Sequence, residues 1–327
     1  MTEYEVAIDL IQSGEYERAA LALSRLEGAS EADAWNEIAG QLFTGLKVSK
    51  REEDAIEIWS RLAIGGDAHS QQSLGSILVR RSDPATILDG VRWLESAGEQ
   101  GQTYALCTLG QVYYGGLGPI PSSPETCTKY FQKAADLGDS EAMLTLANYY
   151  EIGFGVPQSD EKYIELNKQA SEAGNAKGNY NLAVSYEYGR HSIVDEIESI
   201  RHYELAASAG VREAQHNLGA RYFNGKGVER NTSKGIYFYL HAAASGSHLS
   251  QHNLGLVYLK GDGVEKNDVS ALSWFLMAVA HGSEESKHIV EHLQESLSAD
   301  EISQALHLSK NFPERWKSAI ELYPVFK

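Results

Sequence analysis

Residues 214–228 read AQHNLGARYFNGKGV, and this stretch decides the fold. Ala214, Leu218 and Tyr222 recur every four residues, which places them in one stripe along an α-helix. Glycine costs a helix about 1 kcal/mol relative to alanine, so Gly219 beside that stripe predicts the close approach of a neighbouring helix. The G-x-G that follows predicts the helix end, because glycine readily adopts the left-handed conformation of a C-terminal turn.

The same pattern returns along the chain at intervals of 35 to 37 residues. The aligned small residues are Gly75, Gly110, Ala147, Ala183, Gly219 and Gly255, with Gly40 as a weaker first copy. A second series of glycines runs in phase with the first, from Gly66 to Gly282. Self-similarity at one period over seven copies indicates a repeat protein.

Each repeat contains a second helix after the first. Residues 235–246, GIYFYLHAAASG, place large side chains early and small ones late, and they end on a glycine suited to a helix C-terminus. A single hairpin cannot bury both of its apolar faces, so neighbouring hairpins must stack. The sequence therefore predicts an all-α fold, an α/α superhelical solenoid of about seven helix-turn-helix repeats with helical caps and about 70% helix.

The repeat resembles a known family. The residues that carry the resemblance are Ala214, Leu218, Gly219, Tyr222, Gly225, Gly227 and Val228, followed by Ala242, Ala243 and Gly246. This pattern is similar to the Sel1-like repeat, a branch of the tetratricopeptide-like solenoids, and it extends over residues 32–282. The resemblance implies a non-catalytic adaptor protein, frequently bacterial. Residues 1–31 are predicted to form an N-terminal tetratricopeptide-like cap, and residues 283–327 a C-terminal helical cap.

Three repeats depart from the G-x-G-V turn. Residues 80–82 read RRS, so that turn is expected to close differently, and residues 118–121 read GPIP, a stiffer and slightly longer connection. Residues 189–192 read GRHS, so this turn is expected to close differently from those of the other repeats.

Composition narrows the function classes. The formal net charge is -17, which disfavours nucleic-acid binding because a phosphate backbone would be repelled. Cys107 and Cys127 are the only cysteines, so no disulfide framework is expected, and the two thiols are predicted to be buried. The acidic N-terminus lacks the basic and apolar segments of a secretory signal, and no apolar run is long enough to cross a membrane. A cytoplasmic protein is the expectation.

One segment offers an enzymatic alternative. Residues 288–292 read HIVEH, the H-x-x-E-H arrangement that puts His288 and His292 on one helix face beside Glu291. A metal-dependent hydrolase would need a third protein ligand, and only a short segment follows. The G-x-G turns follow helices and lack the third glycine of a dinucleotide site. No cofactor and no metal are predicted, and a packed helix remains the preferred interpretation.

The candidate site follows from analogy with tetratricopeptide grooves. Positions two before, two after and five after the repeat leucine are expected on the concave side. The site residues predicted in this way are Tyr114, Asn148, Glu151, Tyr180, Glu187, His216, Phe223 and His252, together with Cys107, Gln111, Leu144, Val184, Ala220, Leu256 and Leu259. Such a mixture suits a partner protein or peptide with apolar anchors and some lysine or arginine. Two forms stay open, a signalling or assembly adaptor and an immunity-type inhibitor of a basic toxin effector.

Overall fold

The computed structural model describes residues 2–26 and 30–311. Helices hold 74% of the described residues, which confirms the predicted all-α class. The chain divides into two compact units, Met1–Ser159 and Asp160–Lys327. Within the described residues, no helix combines the length and the apolar character needed to cross a bilayer.

The described part of the first unit contains nine helices. Its helices are α1 (Glu3–Ser13), α2 (Tyr16–Leu23), α3 (Glu31–Thr44), α4 (Glu52–Ile64), α5 (Ala68–Leu78), α6 (Pro84–Glu99), α7 (Thr103–Gly115), α8 (Pro124–Asp136) and α9 (Ser140–Ile152). Consecutive helices form the closest contacts, as in α3 with α4, α5 with α6, and α7 with α8. The first pair, α1 and α2, turns at Gly14 in the left-handed conformation, as expected for the N-terminal hairpin.

The second unit continues the same alternation. Its helices are α10 (Asp160–Glu172), α11 (Ala176–Tyr188), α12 (Glu196–Ser208), α13 (Arg212–Asn224), α14 (Thr232–Ala244), α15 (His248–Lys260), α16 (Asp268–Ala280), α17 (Glu285–Ser296) and α18 (Ala299–Lys310). A capping box opens α18, where the Ser298 hydroxyl accepts from the Glu301 amide and the Glu301 carboxylate accepts from the Ser298 amide. The predicted boundaries between caps and array stay a prediction, and residues 1, 27–29 and 312–327 of those caps lie outside the described residues.

Short polar residues and glycines set the helix ends. Asn231 caps α14 by accepting a hydrogen bond from the Lys234 amide at 2.9 Å, and Asn267 caps α16 in the same way. The helix α13 ends on Gly225 at φ 71°, in the left-handed conformation. These local signals place every hairpin of this unit at the same point in its repeat.

The small residue of the motif is required by packing. A Cβ atom on Gly219 would lie 2.5 Å from the Tyr239 ring, and one on Gly255 would lie 2.6 Å from the Phe275 ring. Both distances are far below van der Waals contact, so each first helix touches the aromatic residue of its own second helix. The close approach predicted from the glycine is confirmed.

The phase of the first repeat differs from the prediction by one residue. Gly40 faces open space, since a Cβ atom there would meet nothing within 4 Å. The buried small residue is Ala39, which stands beside the buried Ile38, and Gly45 ends the helix in the left-handed conformation. The choice of Gly40 was therefore wrong, because burial and not residue identity sets the register.

The G-R-H-S turn closes like its neighbours. His191 stands where other repeats have Gly227 and Gly263, and it adopts the same left-handed conformation at φ 62°. Its Nδ1 lies 2.6 Å from the Asp160 carboxylate, and its ring lies 4.3 Å from the Tyr163 ring. The expected change of turn shape is wrong, because these two contacts hold a histidine in a conformation that usually requires glycine.

Candidate partner-binding face

The first-helix face of the second unit is the side of α11, α13 and α15 that carries the predicted groove residues. Two depressions lie side by side on it and share Ala220 and Asn224. One, of about 290 Å³, is lined by Phe223, Tyr239, Leu256 and Val257, with Lys260 and Asp262 at its edge. The other, of about 200 Å³, is lined by Glu187, Tyr188, Asn217, Arg221 and Lys226. The aromatic and aliphatic residues of the first depression suit an anchoring side chain from a partner, whereas the second depression is lined mainly by polar and charged residues.

Tyr180, His216 and His252 are predicted site residues at equivalent positions 36 residues apart. The two histidines of this series are half-buried and hydrogen-bonded. His216 Nδ1 lies 2.8 Å from Ser250 Oγ, and His252 Nδ1 lies 2.8 Å from Ser286 Oγ. Burial lowers the pKa of both imidazoles, with a smaller effect of His248 on His216 in the same direction. These side chains tie each first helix to the next, a structural task that the sequence analysis did not foresee.

The third member of that series is an aromatic residue. Tyr180 is half-buried on α11, and its ring lies 6.1 Å from the Tyr203 ring in an edge-on contact. Burial raises the pKa of its hydroxyl, so Tyr180 stays neutral at physiological pH. Whether Tyr180, His216 and His252 contact a partner stays a prediction.

Glu187 lies in a neutralised cluster. Its Oε1 is 2.8 Å from Arg221 Nη2, an ion pair whose N–H is poorly aligned for a hydrogen bond, and 3.0 Å from Lys226 Nζ. Its Oε2 accepts a hydrogen bond from the Tyr203 hydroxyl at 2.7 Å. Burial by itself would raise the pKa of Glu187, but the Tyr203, Lys226 and Arg221 contacts outweigh it and hold the pKa below its usual value. The carboxylate is therefore ionised, and its charge is balanced within the protein.

Arg221 is the residue that the sequence analysis missed. Its side chain is only 3% exposed, and its guanidinium lies 5.4 Å from the centre of the Tyr203 ring. A signal was present, because the equivalent position holds Val112 and Val257 in other repeats. A charged residue at a position that is buried in most of the repeats, and that is apolar in several of them, requires a buried partner, and Glu187 supplies it.

The first unit has a separate aromatic site. Tyr114 is 56% exposed, and its ring stacks on Tyr149 at 6.3 Å with planes 9° apart. Phe154 packs against both rings, at 5.2 and 4.8 Å. Tyr114, Tyr149, Cys107 and Gln111 line a depression of about 400 Å³. The predicted groove residues of α7 thus come together around an aromatic surface.

The predicted residues of α9 are divided between surface and core. Asn148 is exposed and Glu151 is half-buried, so both reach the surface. Leu144, which was expected to line the groove, is buried. Its assignment to the groove was wrong, because this side chain packs into the hydrophobic interior of the first unit.

The residues of the enzymatic alternative lie at the surface of α17. His288 Nδ1 lies 3.5 Å from the Glu291 carboxylate, and His292 is exposed. Within residues 2–26 and 30–311, no three His, Cys, Asp or Glu side chains come together as a metal site requires.

The two cysteines are unbridged, as predicted. Cys127 is buried and Cys107 is half-buried. Burial, with a smaller contribution from Asp139, raises the pKa of the Cys107 thiol to about 12. Both thiols are thus protonated at neutral pH, the form that reacts poorly.

Comparison with known protein families identifies the family of this chain. The Sel1 repeat matches residues 79–102, 103–139, 140–175, 176–211, 212–247 and 248–283. The chain belongs to the Sel1 repeat family. Sel1 repeat proteins are typically non-catalytic scaffolds for protein–protein interaction. Among curated proteins, no sequence matches the chain significantly.

Solved structures include several similar Sel1 repeat chains. A Sel1 repeat protein from Oxalobacter formigenes is 26% identical, with a TM-score of 0.70 over 88% of this chain and 80% of that one. A protective antigen of uropathogenic Escherichia coli is 22% identical, with a TM-score of 0.40 over 99% and 86%. An immunity protein from Pseudomonas aeruginosa is 18% identical, with a TM-score of 0.39 over 65% and 81%.

Proposed function

We propose that this Sel1 repeat protein is a non-catalytic adaptor that binds a partner protein through the first-helix face of its second unit. The observation that supports the proposal is the depression at Phe223 and Leu256, which combines aromatic and aliphatic residues with the polar and charged residues Asn224, Asn253, Lys260 and Asp262. An apolar side chain of the partner would lose its hydration there, and pockets of this kind contribute most of the energy of an interface.

The partner is proposed to carry lysine or arginine around that anchor. The chain has 45 acidic against 28 basic residues, so a basic partner is attracted at long range. Glu187 does not supply this attraction by itself, because Arg221 and Lys226 balance its charge. We therefore assign steering to the overall acidic surface and anchoring to the Phe223 depression.

The experiment has two stages. Affinity capture with the purified chain identifies a binding protein, and calorimetry with that purified protein then measures its affinity for variants. Phe223→Ala is expected to weaken binding by about 1–3 kcal/mol if Phe223 is an anchor contact. Leu205→Ala is the matched control, since Leu205 is an exposed apolar residue on the second helix α12. Equal affinity of wild type and Phe223→Ala, with loss in Leu205→Ala, would reject the first-helix face.

A further inference from the structure

The turn between α11 and α12, with the helix residues that flank it, carries four apolar or aromatic side chains that are exposed to solvent. Tyr188 is 61% exposed, Ile193 81%, Val194 62% and Ile197 79%. We call these four residues the 188–197 surface. Val194 lies beside Gly189, where a Cβ atom would come within 2.9 Å of its side chain. Isoleucine and valine side chains that are mostly exposed and grouped in one short segment gain little from burial in the fold, so another role is expected for them.

The repeat itself does not require apolar residues here. Ile193 and Val194 stand where the next two repeats have Glu229–Arg230 and Glu265–Lys266, and those charged pairs are exposed too. The valine of the G-x-G-V turn, which is Val228 in the next repeat, is replaced by Ser192 in this repeat. Ile193 does not take over the packing role of that valine, because its side chain is exposed to solvent. The apolar character of this turn is therefore additional to what the repeat needs.

The turn is also held in one conformation. His191 keeps the left-handed backbone that glycine adopts in the other repeats, and Asp160 and Tyr163 hold its ring in place. The Asp195 side chain caps α12 by accepting from the Ile197 and Glu198 amides. A turn that is ordered before binding loses less entropy when a partner docks on it.

The charge around the turn indicates the kind of partner. Between residues 189 and 198 there are three carboxylates and one arginine, and the whole chain carries -17. One of the three, Glu198, lies 3.7 Å from Arg201. Glu187 is not counted, because Arg221 and Lys226 balance its charge. A second copy of the chain would bring the same negative charge to the interface and would be repelled. A segment with an aliphatic anchor flanked by lysine or arginine satisfies both the apolar surface and the surrounding charge.

We propose that the 188–197 surface is a second docking site, which binds a partner segment with an aliphatic anchor and flanking basic residues. None of its four residues lines the Phe223 depression, and it does not depend on the function proposed for that depression. Tyr188 also lines the neighbouring depression beside Glu187, so the 188–197 surface adjoins the first-helix face. A partner that engages both sites would gain avidity, because the second contact becomes intramolecular.

The test uses a defined probe, a random 12-residue peptide library displayed on phage. Selection against the wild-type chain is followed by counter-selection against Ile193→Glu/Val194→Arg, which installs the charged pair of the next repeat. Peptides that survive are expected to share an aliphatic residue next to lysine or arginine. Synthetic copies should bind wild type at least tenfold more tightly than the double variant and bind Phe223→Ala as tightly as wild type.

A second variant distinguishes a loss of peptide binding from a folding defect. Ile197→Ser installs the residue of the equivalent position, Ser233, and should also weaken the peptides while circular dichroism stays unchanged. The proposal is overturned if no selected peptide distinguishes wild type from either variant, or if the selected peptides are acidic. It is also overturned if sedimentation shows a wild-type dimer that Ile193→Glu/Val194→Arg dissociates, because the occupant is then a second copy. Peptides sensitive to Phe223→Ala alone would support the first-helix face and reject the 188–197 surface.

Discussion

His216 on α13 and Ser250 on α15 are joined by a hydrogen bond of 2.8 Å between Nδ1 and Oγ. Ser250 stands at the position where the motif has alanine, and it is fully buried. The same relationship, 34 residues apart, joins His252 to Ser286 and Asn36 to Ser70. In these three places a buried serine and its partner occur together, because a buried hydroxyl without a hydrogen bond is costly.

Breaking this hydrogen bond should destabilise the second unit. Ser250→Ala leaves a half-buried imidazole nitrogen without its partner, and we expect a loss of about 1–2 kcal/mol in the free energy of unfolding. His216→Asn should lose less than His216→Ala, because Asn36 makes the equivalent bond to Ser70. Urea unfolding of the single and double variants forms a cycle that measures the pair. Strict additivity of His216→Ala and Ser250→Ala would contradict the coupling.

The stability should depend on pH between about 7.5 and 5.5. Burial lowers the pKa of His202, His216, His241 and His252 in the folded chain. The unfolded chain therefore binds protons first as the pH falls through about 6.5, so stability is full above that pH and decreases below it. Urea unfolding at several pH values measures the slope. The double variant His216→Asn/His252→Asn should flatten it, whereas a slope equal to that of wild type would exclude these two histidines.

Two glycines of similar sequence context should respond oppositely to alanine. Gly219→Ala places a Cβ atom 2.5 Å from the Tyr239 ring, so overpacking is expected to cost about 1–3 kcal/mol. Gly40→Ala meets nothing within 4 Å inside α3 and should stabilise by about 0.5–1 kcal/mol through helix propensity. Thermal unfolding of both variants decides the matter, and stabilisation by Gly219→Ala would show that the helices can move apart at no cost.

Breaking the Glu187–Arg221 pair should lower the stability of the protein strongly, whereas replacing both residues should lower it much less. Glu187→Gln leaves the buried guanidinium without its carboxylate, and we expect a loss of about 3–5 kcal/mol. Adding Arg221→Val, the residue of Val112 and Val257, should recover much of that loss. Chemical unfolding of the single and double variants measures the recovery. If Arg221→Val makes Glu187→Gln worse, the two side chains do not act as a pair.

Substitutions at Tyr222, in the Ala214–Leu218–Tyr222 stripe, and at Phe223, on the first-helix face, should affect stability and partner binding differently. Tyr222 is buried, and its hydroxyl contacts Glu204 at 2.7 Å and Lys234 at 2.6 Å. Tyr222→Ala should cost about 3–5 kcal/mol as a core truncation. Phe223→Ala, one residue later on the half-buried side, should cost less stability and more partner affinity. Thermal unfolding combined with calorimetry compares them, and equal effects of both variants on stability would place Phe223 in the core.

The sequence by itself determined the repeat period, the helical hairpins and the family. These features follow from short-range patterns, namely the Ala214–Leu218–Tyr222 stripe and the glycines that end helices, and such patterns depend on a few neighbouring residues. The requirement for a small residue at Gly219 was also predictable, because only close helix packing compensates for glycine inside a helix.

The tertiary structure alone decided the details that involve residues far apart in the chain. Ala39 and not Gly40 faces the core, since one residue of phase turns a helix by about 100° and only burial shows which phase is used. His191 keeps a glycine conformation because Asp160, 31 residues earlier, holds it. The candidate site changed for the same reason: His216 and Glu187 were predicted from their positions on a helix, but Ser250 and Arg221 on other helices determine what these side chains can offer a partner.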